Sequence, residues 1–162
     1  MNEPDQINSV ESPRQIIFED FQIDLPISGG WGYEISTACI INKDDPTVDR
    51  EMPFNGVAFE YVFVEKRIYE EMIIFRDKNE AYAGIRWELE KQELLFQDDR
   101  VFDKLIFNII GFTEEIWDEL TSRFDAIERS GKYELIEDLN LYRESKALKL
   151  KREFYFDITS FY

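Results

Sequence analysis

A chain of 162 residues is long enough for one domain with a real core, and fourteen Phe and eight Tyr belong to a folded body rather than an acidic disordered tail. Nineteen Lys and Arg stand against 35 Asp and Glu, and a net charge of −16 repels nucleic-acid phosphate and anionic lipid as direct partners. With no histidine and one cysteine, the chain lacks the usual general base of Ser and Cys hydrolases, an internal disulfide, and a structural zinc site of the usual N/S kind.

Residues 1–13 hold two prolines and scattered apolar side chains, so a flexible N-terminal arm is expected, with 14–162 as a single α+β domain. This polar, acidic start reads as neither a signal nor a transit peptide, and no apolar run approaches the roughly 20 residues that cross a bilayer. Cytoplasm is the expected compartment. Ile16, Phe18, Phe21, Ile23 and Leu25 alternate with polar residues, which predicts a strand with a phase shift near Glu19, ended by Pro26. Gly29, Gly30 and Gly32 around Trp31 predict a tight structural turn, without the lysine or spacing of a phosphate loop. Tyr33, Ile35, Thr37, Cys39 and Ile41 alternate as a second strand, with Cys39 as a small core residue. Residues 42–53 form a polar loop with Asp44, Asp45, Asp49 and Glu51, lacking the glycine and final glutamate of a calcium-binding EF-hand.

Asn55-Gly56 reads as a turn before a strand over Val57 to Val64. Glu65 to Phe75 fits both periods; a strand is expected, because Asp77-Lys78-Asn79 then becomes a hairpin turn. Tyr82 to Leu89 is a strand, Glu93 to Phe96 either continue it or pair after a turn, and 97–100 is a turn carrying Asp98 and Asp99. Val101 to Ile110, with Asp103, form the next strand. Thr113 is an N-cap, acids crowd the following turn, and Ile116, Trp117, Leu120, Phe124 and Ile127 make an apolar stripe up to Gly131. That predicts the main helix, over 113–129. A short irregular helix is expected within 132–144, and Leu148 to Ile158 alternate as a long last strand. In 143–152 five cations face Glu144 alone; pairing with an acidic neighbour strand, or protection of a sheet edge, explains them. The fold class is thus α+β, a curved and mainly antiparallel sheet, open or folded into a sandwich, with one main helix.

No catalytic set, cofactor site or metal site is implied. The acids gather at 44–51, 65–71, 98–103 and 114–119. A partner-binding surface of Asp44, Asp45, Asp49, Glu51, Asp98, Asp99 and Asp103 is expected, steering a Lys- and Arg-rich protein. In its size, acidity and aromatic α+β texture, the chain resembles the immunity proteins of bacterial contact-dependent inhibition and related polymorphic toxin systems. The Ser28–Tyr33 turn, the Pro53–Val64 segment and the Glu153–Ile158 ending carry that resemblance. It implies a non-enzymatic cytosolic antidote, monomer or homodimer, that occludes the active site of a basic toxin, typically a nuclease. Two alternatives stand beside it. One is a nucleic-acid mimic with carboxylates in rows on one face. The other is a small carboxylate hydrolase with two carboxyl groups in a concave pocket, one of raised pKa.

Overall fold

The computed structural model describes residues 3–162. The chain opens with an irregular segment, followed by helix α1 (Pro13–Phe21), strands β1 (Ile27–Gly29) and β2 (Cys39–Ile41), and helix α2 (Gly56–Tyr69). A π-helical turn (Glu70–Ile74) prolongs α2; then come β3 (Tyr82–Gln97), β4 (Arg100–Thr113), α3 (Glu114–Ser130), α4 (Ile136–Lys146) and β5 (Leu148–Asp157). One five-stranded open sheet has the order β1-β2-β5-β4-β3 and is antiparallel except between β2 and β5. The expected α+β class and mainly antiparallel sheet are those observed, as a single sheet and not a sandwich.

Four strand expectations are corrected. Residues 16–25 begin in α1: the Ser12 side chain accepts the Gln15 N–H and Pro13 occupies the first turn, where its missing N–H costs nothing. The expected strand at 57–64 is α2, because Asn55 caps a helix by accepting the Ala58 N–H at 3.1 Å instead of making a hairpin turn. Residues 65–75 continue that helix through the π turn, and 78–80 form a short 3-10 turn. The second expected strand shrinks to Cys39–Ile41 behind a 3-10 turn at Ile35–Thr37. The 82–97 and 100–113 strands, the Thr113-capped helix ending at Gly131, the 136–146 helix and the last strand follow the sequence pattern.

Successive side chains on β4 point to opposite faces, and each face has its own helices. Leu105, Phe107 and Ile109, with Phe154 and Phe156 of β5, meet Phe63, Val64, Ile68 and Met72 of α2 and its π extension. Cys39 lies wholly buried in the same core. Ile110 and Phe112 turn the other way, towards Trp117, Leu120, Ile127 and Leu139 of α3 and α4. Gly84 permits that second layer: its φ is +59°, and a Cβ there would lie 2.3 Å from the Trp117 ring.

The described part of the expected arm packs against the domain, while Met1 and Asn2 lie outside the described residues. Ile7 is buried, its N–H donates to Tyr33 Oη at 2.9 Å, and Trp31 Nε1–H donates to Ser9 Oγ at 3.0 Å. The basic segment enters β5, whose neighbour β2 pairs only with Phe156 and Asp157, so Leu148–Arg152 have a strand, β4, on one side only and form an open edge. Its cations also pair within the domain: Lys151 with Glu90 (2.8 Å), Lys149 with Glu144, and Arg152 with Glu71 (2.9 Å) and Glu3 (2.7 Å).

Candidate functional site

Pairing within the sheet places two distant acidic segments at one end. Ile40 of β2 and Phe102 of β4 both pair with Asp157 of β5, so the 42–55 loop and the 97–100 turn leave the sheet on the same side. The C-terminal residues cross this end and tie the two together. Ser160 Oγ donates to the Ile41 carbonyl at 2.9 Å and accepts the Lys43 N–H at 3.0 Å, while Thr159 Oγ1 accepts the Val101 N–H at 3.0 Å. The Phe161 ring lies 5.2 Å from Phe54 and fills the space beside Gly56, and Tyr162 meets Phe96 edge-on at 5.7 Å.

Asp44, Asp49, Glu51, Asp98 and Asp99 are exposed on this end. Asp98 and Asp99 both have positive φ, 52° and 61°, which suits the turn's twist to that of β3 and β4. Among these acids stand exposed apolar side chains: Met52, Phe96 and Tyr162 each keep about two thirds of their surface in solvent. Two of the expected residues act otherwise. Asp45 bonds Arg14 at 2.8 Å and accepts from Thr47, and the Arg14 guanidinium holds its pKa down at about 2. Asp103 is no surface residue at all. It sits 4% exposed on the core face of β4, accepting from Gln92 at 2.7 Å, because the alternation that points Leu105 inwards points Asp103 inwards too.

Several charged groups inside the domain escaped the sequence reading. Arg67 of α2 is fully buried; it donates to Glu71 Oε1 (3.1 Å), the Trp31 carbonyl (3.0 Å) and the Glu153 carbonyl (2.8 Å). Its guanidinium carbon lies 3.7 Å from the Phe154 ring centre and 4.1 Å from that of Tyr33. Glu71 also accepts from Tyr33 Oη (2.6 Å) and Arg152 (2.9 Å), so its charge is fully answered. Glu60, 2% exposed, faces Asp103; burial first, then the Asp103 charge, push its carboxyl up to about 9. Glu70 is 0% exposed, and neither of its oxygens meets a hydrogen-bond donor. Burial first, then its contact with Asp20, push it likewise to about 9. The helical spacing of Glu60, Arg67 and Glu71 on the stripe of Phe63, Val64, Ile68 and Met72 was the available signal, had α2 been recognised.

Beside Glu70 and Asp20 lies a cleft of about 490 Å³, lined by Ser9, Val10 and Glu11, by Ile16, Glu19 and Asp20 of α1, and by Ile74 and Phe75. Among the described residues no group of three or more His, Cys, Asp or Glu is placed to hold a metal ion, and no helix is long and apolar enough to cross a membrane. No protein-family model, curated protein or solved structure matches the chain.

Proposed function

We propose that the protein binds a basic protein through the sheet end built from 42–55, 96–100 and 157–162, acting as the immunity protein of a toxin pair that covers the active site of a basic, nuclease-type toxin. The observation that carries this reading is the gathering of Asp44, Asp49, Glu51, Asp98 and Asp99 around exposed Met52, Phe96 and Tyr162. An acidic rim attracts and orients a cationic partner, and apolar anchors between the charges supply the short-range energy. The net charge of −16 extends that attraction beyond the contact itself. A role in the cytoplasm, without catalysis, follows from this reading.

The two alternatives have less support. A phosphate mimic needs carboxylates in regular rows, whereas the exposed acids here sit on an irregular loop and a tight turn. The sheet face carrying Glu90 and Glu153 is interleaved with Lys104 and Lys151, which pair with them. A glycosidase needs carboxyl groups about 5 to 10 Å apart with room for sugar or water between them. Glu60, Asp103 and Glu70 are all buried inside the domain, away from water and any sugar.

Co-expression with the toxin domain encoded beside this gene tests the proposal. Rescue of growth and a stable complex are expected, with an association rate falling about tenfold or more when salt is raised from roughly 50 to 500 mM. Paired Asp98→Lys and Asp99→Lys changes should slow association, and Tyr162→Ala should speed dissociation. Neither rescue nor a complex would remove the reading.

A further inference from the structure

On the sheet face opposite α2, a groove of about 340 Å³ lies between α3 and α4. Trp117, Leu120, Thr121 and Phe124 recur at helical spacing, so one face of α3 forms one wall. Leu139, Asn140 and Arg143, on one face of α4, form the other. Leu120 and Leu139 are buried, Phe124 is exposed, and the Trp117 ring stacks on Phe112 of β4 at 5.7 Å. The groove is therefore apolar below and open above. It is also remote from the acidic sheet end, because Phe102 and Phe112 stand near opposite ends of β4, about 30 Å apart at the rise of a strand.

Its charge runs against that of the molecule. Among the described residues, Arg143 is the one charged side chain that lines the groove. Other cations drawn into the domain meet a carboxylate, as Lys66 does with Glu65 (2.8 Å), Lys104 with Glu153 (3.3 Å) and Arg152 with Glu71 (2.9 Å). The half-buried Arg143 guanidinium meets none. It lies 5.8 Å from the Phe112 ring centre and forms no hydrogen bond or ion pair among the described residues. A second arginine rises from the same side of the sheet. Arg86 of β3 is the cross-strand partner of Ile110, so its side chain shares the face of Ile110 and Phe112 that α3 and α4 cover. Arg86 likewise has no hydrogen bond or ion pair among the described residues. Burial first, then the Arg86 charge, hold the Arg143 guanidinium below its usual pKa; the acid that opposes them, Glu144, is engaged by Lys149. In a chain of 35 acids and 19 cations, an arginine so placed has carboxylates to choose from, yet the fold leaves it facing an apolar groove.

We propose that this groove binds a small carboxylate with an apolar ring, the ring lying among Trp117, Leu120, Phe124 and Leu139 and the carboxylate accepting hydrogen bonds from Arg143 and the Asn140 amide. The planar guanidinium matches a carboxylate with two parallel N–H donors, and the apolar walls exclude water from that pair. Arg86 adds a second positive charge on the same face. The volume suits a compact molecule, since small-molecule pockets begin at about 300 Å³. The net charge of −16 selects for size as well: it repels a long polyanion along its whole length, whereas one carboxylate answers to the two nearby arginines. Binding is non-covalent, and no proton or electron is transferred.

Titration of the isotopically labelled full chain with phenylacetate, followed by NMR at about pH 7 and low salt, tests this. The three indole N–H signals report separately, because Trp31 and Trp87 belong to the core on the other sheet face. Saturable movement of the Trp117 signal is expected, with those of Trp31 and Trp87 staying in place. Phenylacetamide, which keeps the ring and lacks the charge, should bind about tenfold more weakly or worse. Arg143→Gln should weaken phenylacetate binding about tenfold or more, and Arg86→Gln, at an exposed strand position, about threefold. Absence of saturation, equal binding of the amide, or unchanged affinity in either variant would each overturn the proposal. The Arg86→Gln and phenylacetamide results stand even if Arg143→Gln does not fold. Because the groove and the acidic sheet end are separate, none of these results depends on whether a basic protein docks at that end.

Discussion

Arg67 shows how a charge can hold a core together. Its planar head satisfies two backbone carbonyls and one carboxylate while lying flat between Tyr33 and Phe154, which a lysine ammonium cannot reproduce. Arg67→Ala leaves the buried Glu71 with only Tyr33 and Arg152 as partners and takes a donor from two carbonyls, so a loss of about 3–5 kcal/mol is expected in urea unfolding. Arg67→Lys should recover only part of it. Glu60 and Glu70 bind protons in the folded state up to about pH 9, whereas ordinary glutamates lose them near 4.5. A group whose native pKa is raised binds the extra proton only when folded, so its stabilising effect is complete below about pH 4.5 and disappears as pH rises through about 9. No histidine titrates in between. The urea midpoint of the protein should therefore fall between about pH 6 and 9, and Glu60→Gln should flatten that fall; an unchanged slope would contradict the assignment. Asp45 acts in the opposite direction, since the stability from its contact with Arg14 is present above about pH 4 and lost as pH falls through about 2.

At the scale of elements, caps and close contacts outweigh alternation. Ser12-Pro13 and Asn55 each begin a helix whose side chains also fit a strand, and the cap settles the outcome because it satisfies otherwise orphaned N–H groups. In α2 the confusion has a further cause: the buried stripe includes Glu60, Arg67 and Glu71, which break the apolar period a helix normally displays. By contrast, α3 was legible because Thr113 caps it, Gly131 ends it in the left-handed conformation, and its apolar residues follow a helical period. Thr113→Ala should cost about 1 kcal/mol by urea unfolding. Gly84→Ala should cost more, about 2–4 kcal/mol, because the new Cβ needs both a left-handed backbone and space now held by the Trp117 ring. If that variant were as stable as the parent, the packing of α3 on β3 described above would be wrong.

For the whole molecule, acidity, the lack of histidine and the single cysteine are properties of composition. Three long strands and α3 were also readable from the chain alone, because alternation over ten or more residues, or a cap with a periodic stripe, is locally self-consistent. What the sequence could not show was which acids share a surface. The 42–55 loop and the 98–99 turn meet only because β2 runs parallel to β5 while β4 runs antiparallel to it, and because residues 158–162 cross that end. The same sheet turned Asp103 inwards to Glu60, and the packing of α1 on the π turn set Asp20 against Glu70. Composition determined that this protein is acidic. The tertiary structure decided which carboxyl groups meet water, which meet arginine and which meet one another, since each outcome depends on contacts between residues tens of positions apart.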